Sequence, residues 1–94
     1  MSMRKRVTQK MRIVNKRGLH ARASARFVET VNAHKSRVQV SKDGMVVDGG
    51  SILDLMMLAA SPGCTITVEA AGPDAEEVIR ALGDLVEDCF GEGC

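Results

Sequence analysis

The chain has 94 residues, of which 45% are hydrophobic and 27% charged, so it fits one small domain with one core and is too short for two. Its net charge of +1 conceals an asymmetry, because residues 1–42 carry 12 Lys or Arg and one acid (net +11) and residues 43–94 carry one Arg and 11 acids (net −10). Nothing in the sequence resembles a signal peptide, a membrane-length apolar run or the cysteine spacing of a zinc site. Two aromatic residues are too few for stacking on nucleic-acid bases.

The first predicted elements are a strand and a helix. Alternation of apolar and polar residues predicts a half-buried strand from Val7 to near Asn15, after a polar, flexible start at residues 1–6. A turn at residues 16–18 then leads into a helix that begins at Ala21 and ends between Asn32 and His34. Helical spacing predicts that its buried face consists of Ala21, Ala25, Phe27, Val28 and Val31.

A hairpin follows the first helix. Residues 36–42 alternate as a strand, with Val38 and Val40 on one face. Asp43-Gly44 is a strong signal for a two-residue turn, because both positions of that turn need positive φ. Residues 45–47 form the returning strand, and Asp48-Gly49-Gly50 ends it.

The second helix is predicted from Ile52 to about Ala60. Ser51 and Asp54 have the spacing of a capping box, in which the two side chains satisfy each other's backbone N–H groups. Apart from Asp54 this segment is apolar on every side, and a helix on one face of a sheet can bury only part of its circumference. We therefore expect part of it to stand in water as a contact patch, for which its methionines are well suited.

The last predicted elements are a strand from Cys64 to Ala70 and a helix that begins at Gly72-Pro73-Asp74. Gly91 and Gly93 indicate a loose end. The buried stripe of this helix is expected to comprise Ala75, Val78, Ile79, Leu82, Leu85, Val86 and Cys89.

The resulting order, β-α-β-β-α-β-α, predicts a single domain over residues 1–94. We assign it to the α+β class, as an open-faced sandwich in which three helices cover one face of a four-stranded antiparallel sheet.

Residues 18–22 contain the candidate reactive side chain of the sequence. In Gly18-Leu19-His20-Ala21-Arg22, a histidine stands at the predicted start of a helix, two residues before an arginine. The first N–H groups of a helix lack intrahelical partners, and the macrodipole adds positive potential there. An anion on His20 would meet those donors and the guanidinium of Arg22, and phosphate suits that arrangement best.

The chain resembles the HPr family of histidine-containing phosphocarriers of the bacterial phosphotransferase system. The resemblance is carried by the Gly18 to Arg22 string, by Gly50-Ser51 with the apolar helix after it, and by the element order across residues 7–90. One departure is Ala23, where many members have proline. It removes no phosphate ligand, and together with the Met-rich second helix it is similar to variants that serve regulation, including the nitrogen-linked branch.

The resemblance implies that His20 accepts a phosphoryl group on Nδ1 from phospho-enzyme I, charged by phosphoenolpyruvate, and passes it to an EIIA-type protein. Arg22 and the backbone N–H groups of Ala21 and Arg22 would hold the phosphate oxygens. It further implies Ser51 as a target of an HPr serine kinase/phosphorylase. The partner-docking surface would include Ile52, Leu53 and Met56.

Two functions remain open at this point. The chain is either a carrier turned over by other enzymes, or a regulatory binding module in which phosphorylation of His20 or Ser51 decides which protein docks. With no P-loop, clustered carboxylates or metal-ligand spacing, it is not expected to be an independent enzyme, and neither cofactor nor metal is expected. We expect a cytoplasmic monomer that does not bind nucleic acid.

Overall fold

The computed structural model describes residues 5–92, and their secondary structure follows the predicted order. A short 3₁₀ turn, Cys89–Gly91, follows the last helix. The elements are β1 (Lys5–Arg12), α1 (Ala21–Asn32), β2 (Arg37–Lys42), β3 (Met45–Asp48), α2 (Ile52–Met57), β4 (Thr65–Gly72) and α3 (Ala75–Glu87).

The four strands form one antiparallel sheet in the order β1-β4-β2-β3. The hairpin between β2 and β3 turns at Asp43 and Gly44, whose φ angles of 51° and 85° confirm the predicted turn. Side chains from one face of the sheet pack with the helices into a single core. The largest fully buried apolar side chains are Phe27, Phe90, Ile13, Leu55, Ile66 and Leu82. The predicted open-faced sandwich is confirmed.

The strand boundaries differ from those predicted. β1 ends at Arg12 rather than near Asn15, and β4 runs from Thr65 to Gly72 rather than from Cys64 to Ala70. The expectation of a flexible start is wrong for Lys5 and Arg6, which pair with the end of β4 because that strand is longer than its alternation suggested. Residues 1–4 of that segment lie outside the described residues.

The buried face of α1 was predicted only in part. Phe27 and Val31 are buried and Val28 is half-buried, as expected. Ala21 and Ala25 are exposed, and Ala23 and Ser24 are buried instead. Alanine is small and tolerates either side of a helix, so the three alanines among residues 21–25 give an ambiguous pattern. The large side chain of Phe27 decides the face, since residues three and four positions away share its side of the helix.

The second helix is shorter than predicted. It ends at Met57 because Ala59 adopts the left-handed conformation, with φ of 53°, which is a common end of helices. Ser51 caps the helix by accepting the Asp54 N–H at 3.2 Å. The reciprocal half of the predicted capping box does not form, because the Asp54 carboxylate accepts from the backbone N–H of Asp48 at 3.3 Å.

The last helix begins after Asp74, its N-cap, so Pro73 precedes the helix rather than standing in its first turn. The helix ends at Glu87, and Cys89, which was placed in the predicted stripe, is buried in the 3₁₀ turn that follows. The predicted buried stripe is otherwise observed, with Leu85 half-buried.

The chain does not become loose at Gly91 as predicted. The side chain of Phe90 is fully buried, and the backbone N–H groups of Gly91 and Glu92 donate to Asp88 and Cys89 at 2.9 Å each. The segment is therefore ordered by one core side chain and two backbone hydrogen bonds. Gly93 lies outside the described residues.

Candidate functional site

The turn before α1 is fixed to the segment that follows α2. Gly18 has φ of 63°, and a Cβ atom there would lie 2.3 Å from the carbonyl oxygen of Ala60. The next residue, Leu19, donates its N–H to the same carbonyl at 2.9 Å, and its side chain is buried in the core. Glycine is therefore required at position 18, both by the backbone conformation and by the close approach.

His20 is the N-cap residue of α1. Its backbone is extended, with φ −76° and ψ −178°, and its carbonyl accepts the first helical bond from Ser24 N–H at 2.8 Å. The side chain of His20 does not cap the helix, and the first turn contains no acidic residue. The N–H groups of that turn, which have no intrahelical acceptor, therefore remain available to an anion at the helix start.

The imidazole ring of His20 is held by a carboxylate that the sequence analysis missed. Nε2 of the ring makes a hydrogen bond with Oε2 of Glu92, and the two side chains are each 17% exposed. Asn15, which is fully buried, donates from Nδ2 to Oε1 of Glu92 at 3.0 Å and to the carbonyl of Gly18 at 2.9 Å. One side chain thus ties the carboxylate to the turn that carries His20.

The surroundings of Glu92 favour its charged form. Burial raises the pKa of its carboxyl, but the hydrogen bonds from Asn15 and His20 and the electrostatic effect of the His20 ring and the Arg17 guanidinium outweigh burial and leave the pKa below its ordinary value. Glu92 therefore faces the ring as a carboxylate near neutral pH. An ionised carboxylate only accepts hydrogen bonds, so the ring nitrogen that contacts it must carry the proton.

Arg22 lies in the first turn of α1, two residues after His20. Its side chain is exposed and makes neither an ion pair nor a hydrogen bond with any described residue. Arg17, within the turn before α1, is exposed as well. Two ion pairs that join the basic and acidic halves, Lys5–Glu76 and Arg6–Glu69, lie at the other end of β1. These ion pairs do not involve Arg17 or Arg22, so the positive charges of both arginines remain near His20.

Ser51 lies at the start of α2, whereas the far end of α2 leads into the Ala60 contact with the turn before His20. The structure thus connects the two predicted sites through this helix without bringing their side chains into contact. The hydroxyl of Ser51 is partly exposed and is occupied as the cap of α2.

The outer face of α2 is an exposed apolar patch, which we call the α2 patch. Leu53 is 73% exposed, and Ile52 and Met56 are 40% exposed each, so all three predicted docking residues stand in water. Met57, which the prediction did not include, is 67% exposed and extends the patch. Leu55, on the opposite side of the helix, is fully buried and attaches the helix to the core. Such a contiguous apolar surface is typical of a contact site.

No helix in residues 5–92 combines the length and apolar character needed to span a bilayer.

Comparisons with known proteins agree on one family. The family model described as the PTS HPr component phosphorylation site matches residues 7–88. Over 85 residues the chain is 51% identical to a phosphocarrier protein HPr of Neisseria meningitidis, covering 90% of this chain and 96% of that protein. It is 48% identical over 81 residues to that of Cupriavidus necator, covering 86% and 91%. The crystal structure of HPr-C-His from Thermoanaerobacter tengcongensis superposes with a TM-score of 0.85 at 45% identity, covering 94% of this chain and 97% of that one.

Proposed function

The chain belongs to the HPr family of phosphocarrier proteins of the phosphotransferase system, and from that premise we propose that His20 is the residue that carries the phosphoryl group. The donor is phospho-enzyme I and the acceptor an EIIA-type protein. The observation that carries the proposal is the position of His20 at the start of α1, where its ring is held from the Nε2 side and the first-turn N–H groups are unused.

The reacting atom is Nδ1 of His20. Its lone pair attacks the phosphorus, the new N–P bond forms, and the electron pair of the breaking bond stays with the donor. Arg22 and the backbone N–H groups of Ala21 and Arg22 hold the phosphate oxygens. Support comes from their place in the first turn of α1 and from the absence of any competing partner for Arg22 among the described residues.

The chain acts as a carrier rather than as an enzyme in its own right. Most phosphoryl-transfer catalysis comes from positioning and charge neutralisation. Here one arginine and one helix start supply part of that, and the bound partner completes the site. The exchange takes place in the cytoplasm between a monomer of this chain and each partner in turn.

The α2 patch is the docking surface for these partners. Ile52, Leu53 and Met56 are exposed on a helix whose end contacts the His20 turn, so a protein seated on them lies beside the reacting ring. Burial of apolar side chains supplies much of the affinity of such interfaces.

Ser51 gives the second function that an observation favours, which is regulation of docking. A serine kinase that phosphorylated Ser51 would place two negative charges beside Ile52 and Leu53 and make docking on the patch less favourable. The same arrangement suits a regulatory module of the nitrogen-linked kind, in which phosphorylation selects the partner without onward transfer.

Labelling with phosphoenolpyruvate in the presence of enzyme I tests the carrier function. The wild type, His20→Ala and His34→Ala are compared, since His34 is the other histidine of the chain and contacts the Thr30 carbonyl at the end of α1. We expect an acid-labile, alkali-stable phosphate on the wild type and on His34→Ala only. Label on folded His20→Ala would contradict the assignment, and no label on any of the three would favour the regulatory module.

A further inference from the structure

We propose that Glu92 is a positioning residue for phosphoryl transfer at His20: its carboxylate holds the proton on Nε2 and thereby keeps the lone pair of the ring on Nδ1. The inference rests on the proposed function of His20 and adds to it a residue 72 positions away in the chain. Its role is exerted through the imidazole, without contact to the transferred group.

The first step of the argument is the ring's protonation. A neutral imidazole carries one proton and one lone pair on its two nitrogens, and which nitrogen bears the proton is set by the hydrogen bond that it makes. The carboxylate of Glu92 accepts but cannot donate, so Nε2 keeps the proton. No described residue hydrogen-bonds to Nδ1, which leaves its lone pair available to an incoming phosphorus.

The second step is that Glu92 is itself held in place. Asn15 donates to its second oxygen at 3.0 Å, so both oxygens of the carboxylate are engaged. The turn Cys89–Gly91 carries it, with Phe90 fully buried and with positive φ at each of the three residues. A strained turn anchored by a core side chain persists only where its surroundings hold it, and such turns occur at functional sites.

The third step is the charge balance of the transfer. When Nδ1 forms the N–P bond, the ring still carries the Nε2 proton and becomes cationic, and no proton has to leave this chain. The negative charge of Glu92 offsets that cation at hydrogen-bond distance. When the phosphoryl group moves on to the acceptor, the bonding pair returns to Nδ1 and the ring is again neutral with its proton on Nε2.

The test combines a rate with a spectroscopic signature. Glu92→Ala removes the carboxylate, Glu92→Gln keeps an acceptor oxygen without the charge, and Glu87→Ala removes an exposed acid from the end of α3 as the matched control. The readouts are the initial rate of phosphoryl uptake from phosphoenolpyruvate and enzyme I, the NMR signal of the His20 Nε2 proton, and the thermal unfolding midpoint.

We expect a solvent-protected Nε2 proton in the wild type and Glu87→Ala, its loss in Glu92→Ala, and a rate in Glu92→Ala roughly tenfold below that of the control, as for loss of one charge-assisted hydrogen bond. Glu92→Gln should recover the proton signal and only part of the rate. Equal rates and equal proton signals in Glu92→Ala and Glu87→Ala would overturn the role of Glu92. No uptake by the wild type would overturn the proposed function and, with it, this role.

Discussion

His20 and Ser51 each begin a helix with an extended backbone, but their side chains are used in opposite ways. The hydroxyl of Ser51 accepts a hydrogen bond from the Asp54 N–H, so a side chain of the segment itself caps the start of α2. The ring of His20 points to Glu92 instead and leaves the start of α1 without a side-chain cap. Only the arrangement at His20 keeps the N–H groups of the helix start available for an anion.

The two helix starts also differ in their surroundings. Polar and charged side chains converge near His20, including Asn15, Glu92 and Arg17, whereas Ser51 is followed by an apolar patch. On the function proposed above, the start of α1 serves phosphoryl transfer and the start of α2 serves helix capping and partner docking. The variants below test that division, from the largest expected effect to the smallest.

Gly18→Ala should have the largest effect, because its Cβ would lie 2.3 Å from the Ala60 carbonyl at a left-handed φ. We expect a loss of about 3 kcal/mol in the free energy of unfolding and a displaced His20 turn. Gly44→Ala is the control, since it has positive φ but no atom within 4 Å, and should cost about 1 kcal/mol. Urea unfolding measures both. Equal losses would show that the close approach to Ala60 is unimportant.

Arg22→Ala should slow phosphoryl uptake roughly tenfold without abolishing it, because one of several donors to the phosphate is removed. Arg80→Ala, which removes an exposed arginine from α3, should leave the rate unchanged. Initial rates with enzyme I and phosphoenolpyruvate provide the measurement. Identical rates for the two variants would exclude Arg22 from the site.

Two substitutions at Ser51 should separate stability from docking. Ser51→Ala removes the cap and should lower the free energy of unfolding by about 1 kcal/mol, with docking unchanged. Ser51→Asp keeps a capping oxygen but adds charge beside the α2 patch, so it should weaken binding to enzyme I more than it affects unfolding. Titration calorimetry and urea unfolding provide the two measurements. Unchanged affinity in Ser51→Asp would argue against regulation through this residue.

The start of α3, at Asp74, allows a test by the pH dependence of stability, and its expected effect is the smallest of those described. The Asp74 carboxylate accepts from the hydroxyl and N–H of Ser36 and the N–H of Lys35, and these hydrogen bonds lower its pKa to about 2 from 3.8. Because the pKa is lowered on folding, its contribution to stability is present above about pH 4 and is lost as the pH falls towards 2.

Unfolding of the wild type and Asp74→Asn between pH 2 and pH 6 measures this contribution. The difference between their free energies of unfolding should be present at pH 6 and should shrink as the pH approaches 2. A difference that is independent of pH would show that the carboxylate charge is not its origin.

Local signals predicted the fold well and the candidate site only in part. The turn at Asp43-Gly44 and the cap at Ser51 depend on neighbours within a few residues, so their sequence patterns are decisive. The exposure of the α2 patch also followed from composition, since a helix that is apolar all round cannot be buried on every side against one sheet.

The hydrogen bonds around the His20 ring could not be predicted in the same way. Glu92 follows Gly91, which reads as a loose end, and nothing local indicates that the buried ring of Phe90 fixes the turn next to it. Asn15 was expected to end a strand and instead joins Glu92 to Gly18. The contacts of Glu92 with Asn15 and His20 span more than 70 residues, and only tertiary packing brings these side chains together.

The most direct test of the account is the site of phosphorylation within the imidazole. Wild-type protein with ¹⁵N-labelled histidine is phosphorylated by enzyme I and phosphoenolpyruvate, and the coupling between ³¹P and the ring nitrogens is measured by NMR. We predict coupling to Nδ1 of His20, with the proton retained on Nε2 facing Glu92. Coupling to Nε2, or phosphorus on His34 or Ser51 instead, would contradict the account.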